Sequence, residues 1–266
     1  MIKGGYHLAV VQPTIDVLPN SPFDANDVLF DWFRFEIPRG STHLKTIFAT
    51  VPGTDATAGN SHDISLVFAK SLNGVAPPSL GNPDDAPNVI KGAAVRNHLI
   101  GHSILDASKV SNSDTEFVGY NVWAQSGVVG NDINEVTNIM EGDPTYIGAT
   151  TGYQSIWVAG FTAGTMNFGT GVKLDGAVGE AGAQTLDVSE DTDADDVFCI
   201  GDELLACRST GASVQLIGTV TALTADTVTV NAKDINGTTV WSSGALENDD
   251  EICFRRPLTL KLGFEY

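Results

Sequence analysis

The stretch Val28-Leu-Phe-Asp-Trp-Phe-Arg-Phe-Glu-Ile37 decides the fold class, because its apolar residues follow the two-residue period of a β-strand. From Phe30 onwards every second side chain shares a face. One face then carries Phe30, Trp32 and Arg34. The other face carries Phe33, Phe35 and Ile37. A strand that is apolar on both faces belongs inside a sandwich or at a contact between subunits. The stretch therefore predicts an all-β protein.

Further strands lie on both sides of this stretch and are separated by turn-forming residues. By their sequence limits they are 44–48, 63–69, 98–105, 117–124, 155–161, 166–174 and 258–264. Pro38–Thr42 marks a turn, and the proline-rich segment Ala76–Pro87 indicates an irregular surface loop. Seven or eight short strands separated by turns are typical of a β-sandwich, and we predict one of jelly-roll type.

The composition changes near Gly176, where Gly176–Ala183 is small and flexible enough to be a linker. Ser213–Val230 predicts one β-hairpin, and Lys233–Trp241 predicts a second with its turn at Asn236-Gly237. Short strands in a segment of this size predict a small β-barrel. We therefore expect a sandwich domain formed by residues 1–175 and 256–266, which begins with an extended N-terminal arm, and an acidic barrel inserted at residues 176–255.

The charge of the chain, −19 in total, argues against two classes of partner. Fifteen of the 33 acidic residues fall in the expected insertion, against only Arg208, Lys233 and Arg255. The densest basic cluster is the pair Arg255-Arg256, so no positive surface for nucleic acid is visible. Anionic membranes are disfavoured for the same reason, and no apolar run suits a signal peptide or a membrane span. We expect synthesis in a host cytoplasm, with neither nucleic acid nor membrane as a partner.

Several segments resemble a family of small virion proteins that decorate the capsids of tailed bacteriophages. In chain order they are Asp24–Asp31, the turn Arg39–Thr42 with the strand Leu44–Thr50, Asp63–Ala69, Trp157–Gly160, Phe168–Leu174 and Leu258–Tyr266. The resemblance implies jelly-roll subunits, often homotrimers, that attach to the outer surface of the capsid as cement and bind the major capsid protein. The acidic insertion is not part of the shared pattern.

Two places in the sequence are candidates for binding a partner. The N-terminal arm, Met1–Pro22, is extended and rich in turn formers, so it can lie across a partner and become ordered on binding. The second place is the apolar strand quoted above, which is expected to form the core between subunits. The candidate residues are Met1, Tyr6, Leu8 and Val10 in the arm, and Trp32, Phe33 and Phe35 in the strand.

The alternative is a carbohydrate-binding or host-contact module of a phage tail or fibre, built on the same sandwich. Stacking on sugars requires exposed aromatic rings. The tryptophans are Trp32, Trp123, Trp157 and Trp241. Three of them lie in expected strands with apolar neighbours, which favours packing in a core or an interface over stacking on a ligand.

Two features near residue 200 leave questions open. Asp191, Asp193 and Asp195 match the first three ligands of a calcium loop, but Asp196 stands where the loop requires glycine and the closing glutamate is missing. A solvated acidic turn is the simpler interpretation. Cys199 and Cys253 lie in similar strings, so they could occupy neighbouring strands, and a bridge between them is possible.

The histidines give no clear metal site. His98 and His102 are four residues apart and would share one face of a strand, which Asp106 would extend. Zinc would need further ligands and a dry pocket. Because no nucleophile, phosphate or dinucleotide motif is complete either, we expect a protein that is not an enzyme and has no cofactor or metal.

Overall fold

Strands dominate the described chain. The computed structural model describes residues 5–15, 23–52, 62–81, 93–114, 117–123, 139–166, 168–189, 192–208 and 214–266. Its strands are β1 (Tyr6–Val11), β2 (Val28–Pro38), β3 (Thr42–Pro52), β4 (Ile64–Ala69), β5 (Leu99–Leu105), β6 (Val110–Asp114), β7 (Phe117–Trp123), β8 (Ile139–Met140), β9 (Tyr153–Thr162), β10 (Gln184–Asp187), β11 (Glu203–Cys207), β12 (Val214–Thr224), β13 (Thr227–Val230), β14 (Glu251–Phe254) and β15 (Thr259–Glu265). The helical elements are α1 (Ala93–Arg96), α2 (Ala194–Val197) and a 3-10 turn at Ala107–Lys109.

The strands outside the insertion form a jelly roll. One sheet has the order β1-β15-β3-β7-β6, with β8 paired to β3, and the other has the order β2-β9-β4-β5. The antiparallel pairs nest like those of one long hairpin: β1 with β15, β2 with β9, β3 with β7, and β4 with β5. A long hairpin wrapped into two sheets is a jelly roll. The prediction of an all-β, jelly-roll-like sandwich is confirmed.

Bulges in β2 change which side chains face the core. The pairing with β9 shifts between Val28 and Phe30 and again between Phe30 and Phe33. Phe30 therefore joins Phe33 and Phe35 in the core between the sheets, and it packs over Gly160, where an added Cβ would overlap its ring. The expectation that Phe30 shares a face with Trp32 is wrong, because each bulge adds a residue and resets the alternation.

The outer face of β2 is covered by the chain itself. Trp32 donates its indole N–H to the carbonyl of Pro78 at 2.9 Å, and Leu80 donates its backbone N–H to Asp31 at 3.0 Å. Leu80 is fully buried in a small cluster against which Trp32 packs. We call residues 71–81 the covering segment. Its presence explains how β2 can be apolar on both faces without a second subunit.

The chain between β9 and β15 forms a second unit with its own core. Its strands make an antiparallel sheet in the order β10-β13-β12-β11-β14. The buried apolar residues of this core begin at Val172 and end at Ile252, and they include the fully buried Trp241. Within the described residues the edge strands β10 and β14 do not pair, so the sheet is open rather than closed into the small barrel that the hairpins suggested.

The second unit shares a core with the sandwich. Leu204 and Ala206 of β11 point into the core of the second unit, whereas Leu205 and Cys207 join the sandwich core together with Cys253. Alternate side chains of one strand thus belong to two cores, which explains why β11 is buried along its whole length. The second unit therefore packs directly against the sandwich.

Candidate partner-binding surface

The side chains of β1 divide between the core and the surface. Ala9 and Val11 are buried, whereas Tyr6, Leu8 and Val10 are 70%, 59% and 54% exposed. Because these three residues follow the period of the strand, their side chains form one continuous apolar stripe, which we call the β1 stripe. Contiguous exposed apolar surface is more typical of a binding site than single exposed residues are.

The β1 stripe contains three of the residues predicted to bind a partner, while Met1 lies outside the described residues. On the neighbouring strand, Glu265 lies opposite Tyr6 and Lys261 lies opposite Val10. Both flanking charges have partners: Glu265 pairs with Lys45 at 3.1 Å, and the Lys261 ammonium lies 5.6 Å from the centroid of the Phe48 ring. The stripe is therefore electrically neutral on a strongly acidic chain.

The three aromatic residues assigned to a core between subunits are packed within the chain. Phe35 is buried in the sandwich core and stacks on Phe264 with 6.0 Å between ring centroids. Phe33 is half-buried against the same core, and Trp32 is half-buried beneath the covering segment. This corrects the expectation for Phe35, whose side chain is used by the fold and is not presented to a partner.

Asp143 anchors the covering segment at Gly74, whereas Asp31 of β2 holds it at Leu80. The Asp143 carboxylate accepts the backbone N–H of Gly74 at 2.8 Å, and it also accepts the backbone N–H and the hydroxyl of Thr145. Burial opposes ionisation of this carboxyl, but the hydrogen bonds from Gly74 and Thr145 outweigh it and lower the pKa of Asp143 to about 2. Ionised Asp143 thus holds the start of the covering segment.

A buried ion network joins the two units and was not found from the sequence. The Glu203 side chain, 2% exposed, lies 3.4 Å from the Arg255 guanidinium and 3.2 Å from that of Arg256. It also accepts the backbone N–H of Ile235 at 3.0 Å. The Arg255 carbonyl in turn accepts the N–H of Ile15 from the N-terminal segment. The one signal in the sequence was the Arg255-Arg256 pair itself, an unusual basic dipeptide in an acidic region.

The histidines do not form the pair that their spacing suggested. A bulge in β5 opposite Phe68 and Ala69 breaks the alternation between His98 and His102. His98 is buried, with Nδ1 2.7 Å from the carbonyl of Lys70, whereas His102 is exposed. Asp106 accepts the N–H and hydroxyl of Ser108. Among the described residues, no group of three or more His, Cys, Asp or Glu side chains could hold a metal ion.

Near residue 200, neither the acidic residues of the possible calcium loop nor the two cysteines of the possible bridge form a site in the described structure. Asp193 and Asp195 lie at the start of α2, while Asp191 lies outside the described residues. All three cysteines are free: Cys199 is exposed and Cys253 is buried, so the possible bridge between them is not formed. Burial raises the pKa of the Cys253 thiol well above its usual range, and the neighbouring Cys207 adds to the effect.

Tryptophan platforms for sugars are not apparent in the described side chains. Trp157 and Trp241 are 5% and 1% exposed, and Trp32 is covered as described above. Trp157 meets Tyr146 edge to face at 5.0 Å, and the Arg34 guanidinium lies 5.9 Å from the Tyr146 ring centroid. These rings pack against one another and are not arranged as a flat stacking surface.

Comparisons with known proteins give no relative that carries an argument. No family model matches the chain, and no curated protein matches it. Among solved structures, the crystal structure of dimeric latent PorU from Porphyromonas gingivalis is 14% identical, with a TM-score of 0.14. The match covers 95% of this chain and 21% of the PorU chain, so this chain spans about a fifth of that protein's length. The TM-score is too low to bear on fold or function. Within the described residues, no helix has the length and apolar character needed to cross a membrane.

Proposed function

We propose that this chain is a virion structural protein that coats the outside of a tailed-phage capsid and stabilises it by binding the major capsid protein. Its task is to bind and to bear load, without catalysing a reaction. The observation that carries the proposal is the β1 stripe, an uncovered apolar surface on a jelly roll whose other apolar outer strand is covered by its own chain. An uncovered apolar stripe is what a contact with other virion subunits requires.

The resemblance to capsid decoration proteins supports the proposal through the position of its segments. Asp24–Asp31 leads into β2, Arg39–Thr42 forms the turn from β2 to β3, Asp63–Ala69 contains β4, and Leu258–Tyr266 contains β15. These four segments and Trp157–Gly160, which lies in β9, fall on the strands and a connecting turn of one jelly roll. The sixth segment, Phe168–Leu174, instead contributes Val172 and Leu174 to the core of the second unit. A similarity that follows the strands of a single sandwich agrees better with a shared subunit type than a scattered one would.

The physical basis of the proposed stabilisation is mass action. A protein that binds the assembled shell but not the free capsid subunits favours the shell by RT ln(1 + [L]/Kd) at each site. At a free concentration of one hundred times Kd, this amounts to about 2.7 kcal/mol per site. Because a shell offers many equivalent sites, modest contacts add up to substantial resistance against internal pressure.

Self-association is part of the proposal, and the resemblance implies three copies. Phe35 cannot serve this contact because it lies in the sandwich core, and Trp32 is covered. The β1 stripe therefore takes over as the apolar surface that we assign to contacts between virion subunits. The acidic second unit, which is packed against one part of the sandwich, would face solvent and keep coated particles apart by charge.

Binding to assembled shells tests the proposal. Empty shells are assembled from the major capsid protein of the same genome, mixed with the purified chain, and sedimented. We expect the chain to sediment with shells but not with unassembled capsid protein, and the coated shells to survive a higher temperature. Leu8→Lys, which disrupts the contact between virion subunits at the β1 stripe, should weaken co-sedimentation, whereas Ile147→Lys, at a 96% exposed position outside the stripe, should not. A chain that stays in the supernatant would refute the capsid role, and binding to a glycan array instead would favour the host-contact alternative.

A further inference from the structure

We propose that β1 pairs antiparallel with β1 of a second copy of this chain, so that the six-stranded sheets of two sandwiches become one continuous sheet. The proposal deepens the function proposed above and rests on it, because it names the partner of the β1 stripe. It goes beyond that function in fixing the register and the symmetry of the contact.

The backbone of β1 is open along the same residues that form the stripe. Gly5 and Tyr266 exchange both N–H···O=C bonds, at 2.8 and 3.0 Å. In an antiparallel ladder such pairs alternate, so residues 7, 9 and 11 bond to β15 while the N–H and C=O groups of Tyr6, Leu8 and Val10 point away from it. In the described part of the chain, none of these outward groups is hydrogen-bonded to another element.

The β1 strand of a second copy can pair with all the outward backbone groups of Tyr6, Leu8 and Val10. The outward-pointing residues are arranged symmetrically about Leu8, so a two-fold axis beside Leu8 places it opposite Leu8 of the second copy. The same axis places Tyr6 opposite Val10 of the second copy, and the reverse. Every outward N–H and C=O then finds a partner, and each aromatic ring lies beside a β-branched side chain, a favourable cross-strand pair.

The charges around β1 are complementary in this arrangement. Lys261 flanks Val10 and Glu265 flanks Tyr6, so each row across the joined sheets runs from a lysine in one copy to a glutamate in the other. β1 itself carries no aspartate, glutamate, lysine, arginine or proline, and its pairing with β15 contains no bulge. Edge strands normally avoid association by means of such charges, prolines or bulges, and β1 has none of them. On a chain of net charge −19, β1 is thus an edge that can meet its copy without repulsion.

Cysteine cross-linking tests the register directly. In a background with the exposed Cys199 replaced by Ser, Leu8→Cys puts two thiols at a hydrogen-bonded antiparallel pair, with Cα atoms about 5.5 Å apart, within the range for a disulfide. Val10→Cys is the matched control, because the pairing separates the two copies of this position by about 14 Å. With copper phenanthroline as the oxidant, we expect Leu8→Cys to form a covalent dimer and Val10→Cys to stay unlinked. Equal linking of both variants, or no linking of Leu8→Cys, would overturn the pairing.

Hydrogen exchange provides a readout that is independent of thiols. The amides of residues 7, 9 and 11 should be protected at every concentration, because they bond to β15. Those of Tyr6, Leu8 and Val10 should gain protection as the concentration of the chain rises, and Leu8→Lys should abolish this gain. If the three outward amides become protected only when capsid shells are added, the strand that occupies the edge belongs to the capsid protein. That result would overturn the pairing between copies while leaving the capsid role intact.

Discussion

β1 and β2 are both edge strands with apolar outer residues, yet only those of β2 are covered by another part of the chain. β2 is an edge of its four-stranded sheet, and its outer Trp32 is covered by Pro78 and Leu80. β1 is an edge of the other sheet, and its outer Tyr6 and Leu8 are left exposed. An apolar outer face therefore does not by itself identify a binding surface. What identifies it is whether the rest of the chain supplies a cover.

The difference assigns separate roles to the two strands. Apolar residues under an intramolecular cover contribute to folding, so their loss should lower the stability of the single chain. Uncovered apolar residues contribute little to folding, so their loss should alter association alone. Substitutions on the two strands can therefore confirm or break the distinction.

The largest effect is expected from Trp32→Ala. Removing the indole leaves a cavity under the covering segment and frees the carbonyl of Pro78, so the free energy of unfolding should fall by about 3 kcal/mol. Denaturant titration would measure this loss, and the association of the folded fraction should be unchanged. A loss below about 1 kcal/mol would mean that the cover contributes little, and the contrast with β1 would fail.

A smaller effect is expected from Asp31→Ala, which removes the acceptor for the N–H of Leu80. Loss of a hydrogen bond to a charged group should cost about 1.5 kcal/mol and loosen the covering segment. Acrylamide should then quench tryptophan fluorescence more strongly. Asp106→Ala is the matched control, since Asp106 also accepts a backbone N–H but in a loop of its own. Similar quenching in both variants would show that Asp31 does not hold the cover.

Protonation of Asp143 in acid should weaken its hold on the covering segment at Gly74. The pKa of Asp143 is lowered to about 2 in the folded chain from an ordinary value of 3.8. Its ionised form therefore stabilises the fold above about pH 4, and this contribution disappears as the pH falls towards 2. Asp143→Asn should lower stability by about 1 kcal/mol at neutral pH, and between pH 4 and 2 it should lose less stability than the unsubstituted chain does. Parallel pH profiles of unfolding would contradict the assignment.

The smallest effect on stability is expected from Leu8→Ala. At concentrations low enough for the chain to be monomeric, the free energy of unfolding should change by less than about 0.5 kcal/mol. Leu262→Ala, in the buried part of the adjacent β15, makes the same chemical change and should cost about 3 kcal/mol. If Leu8→Ala were comparably destabilising, the β1 stripe would belong to the fold and not to a contact surface.

The sequence predicted the parts of this picture that depend on local period. The alternation of Phe33 and Phe35 shows directly in the sequence. Tyr6–Val11 was predicted only as part of an extended arm, because Leu8–Val11 is apolar at every position, and the structure instead pairs this segment with β15 as a strand. Phe30 was misplaced because an extra residue in a bulge leaves no trace in an apolar pattern. The exposure of a strand's outer side chains also cannot be predicted from alternation, because a covered strand and an uncovered strand can show the same pattern.

Contacts between distant residues lay beyond the sequence for a different reason. The cover over Trp32 comes from residues 46 positions later, and Glu203 meets Arg255 across 52 positions. Each depends on how the sheets fold over one another and not on any local spacing. The Arg255-Arg256 pair marked one partner of the buried network, but nothing nearby indicated that Glu203 was the other.

The most direct test of the central claim is the molar mass of the chain in solution, measured by light scattering over a range of concentrations. The two-fold pairing through β1 predicts an even number of copies: two, at about 56 kDa from a 28.0 kDa chain, or six if the trimers implied by the resemblance also form. Leu8→Lys should halve that mass, while Ile147→Lys should leave it unchanged. A monomer at all concentrations would contradict self-association, and a mass of three copies would contradict the two-fold contact, because a closed trimer contains no two-fold axis.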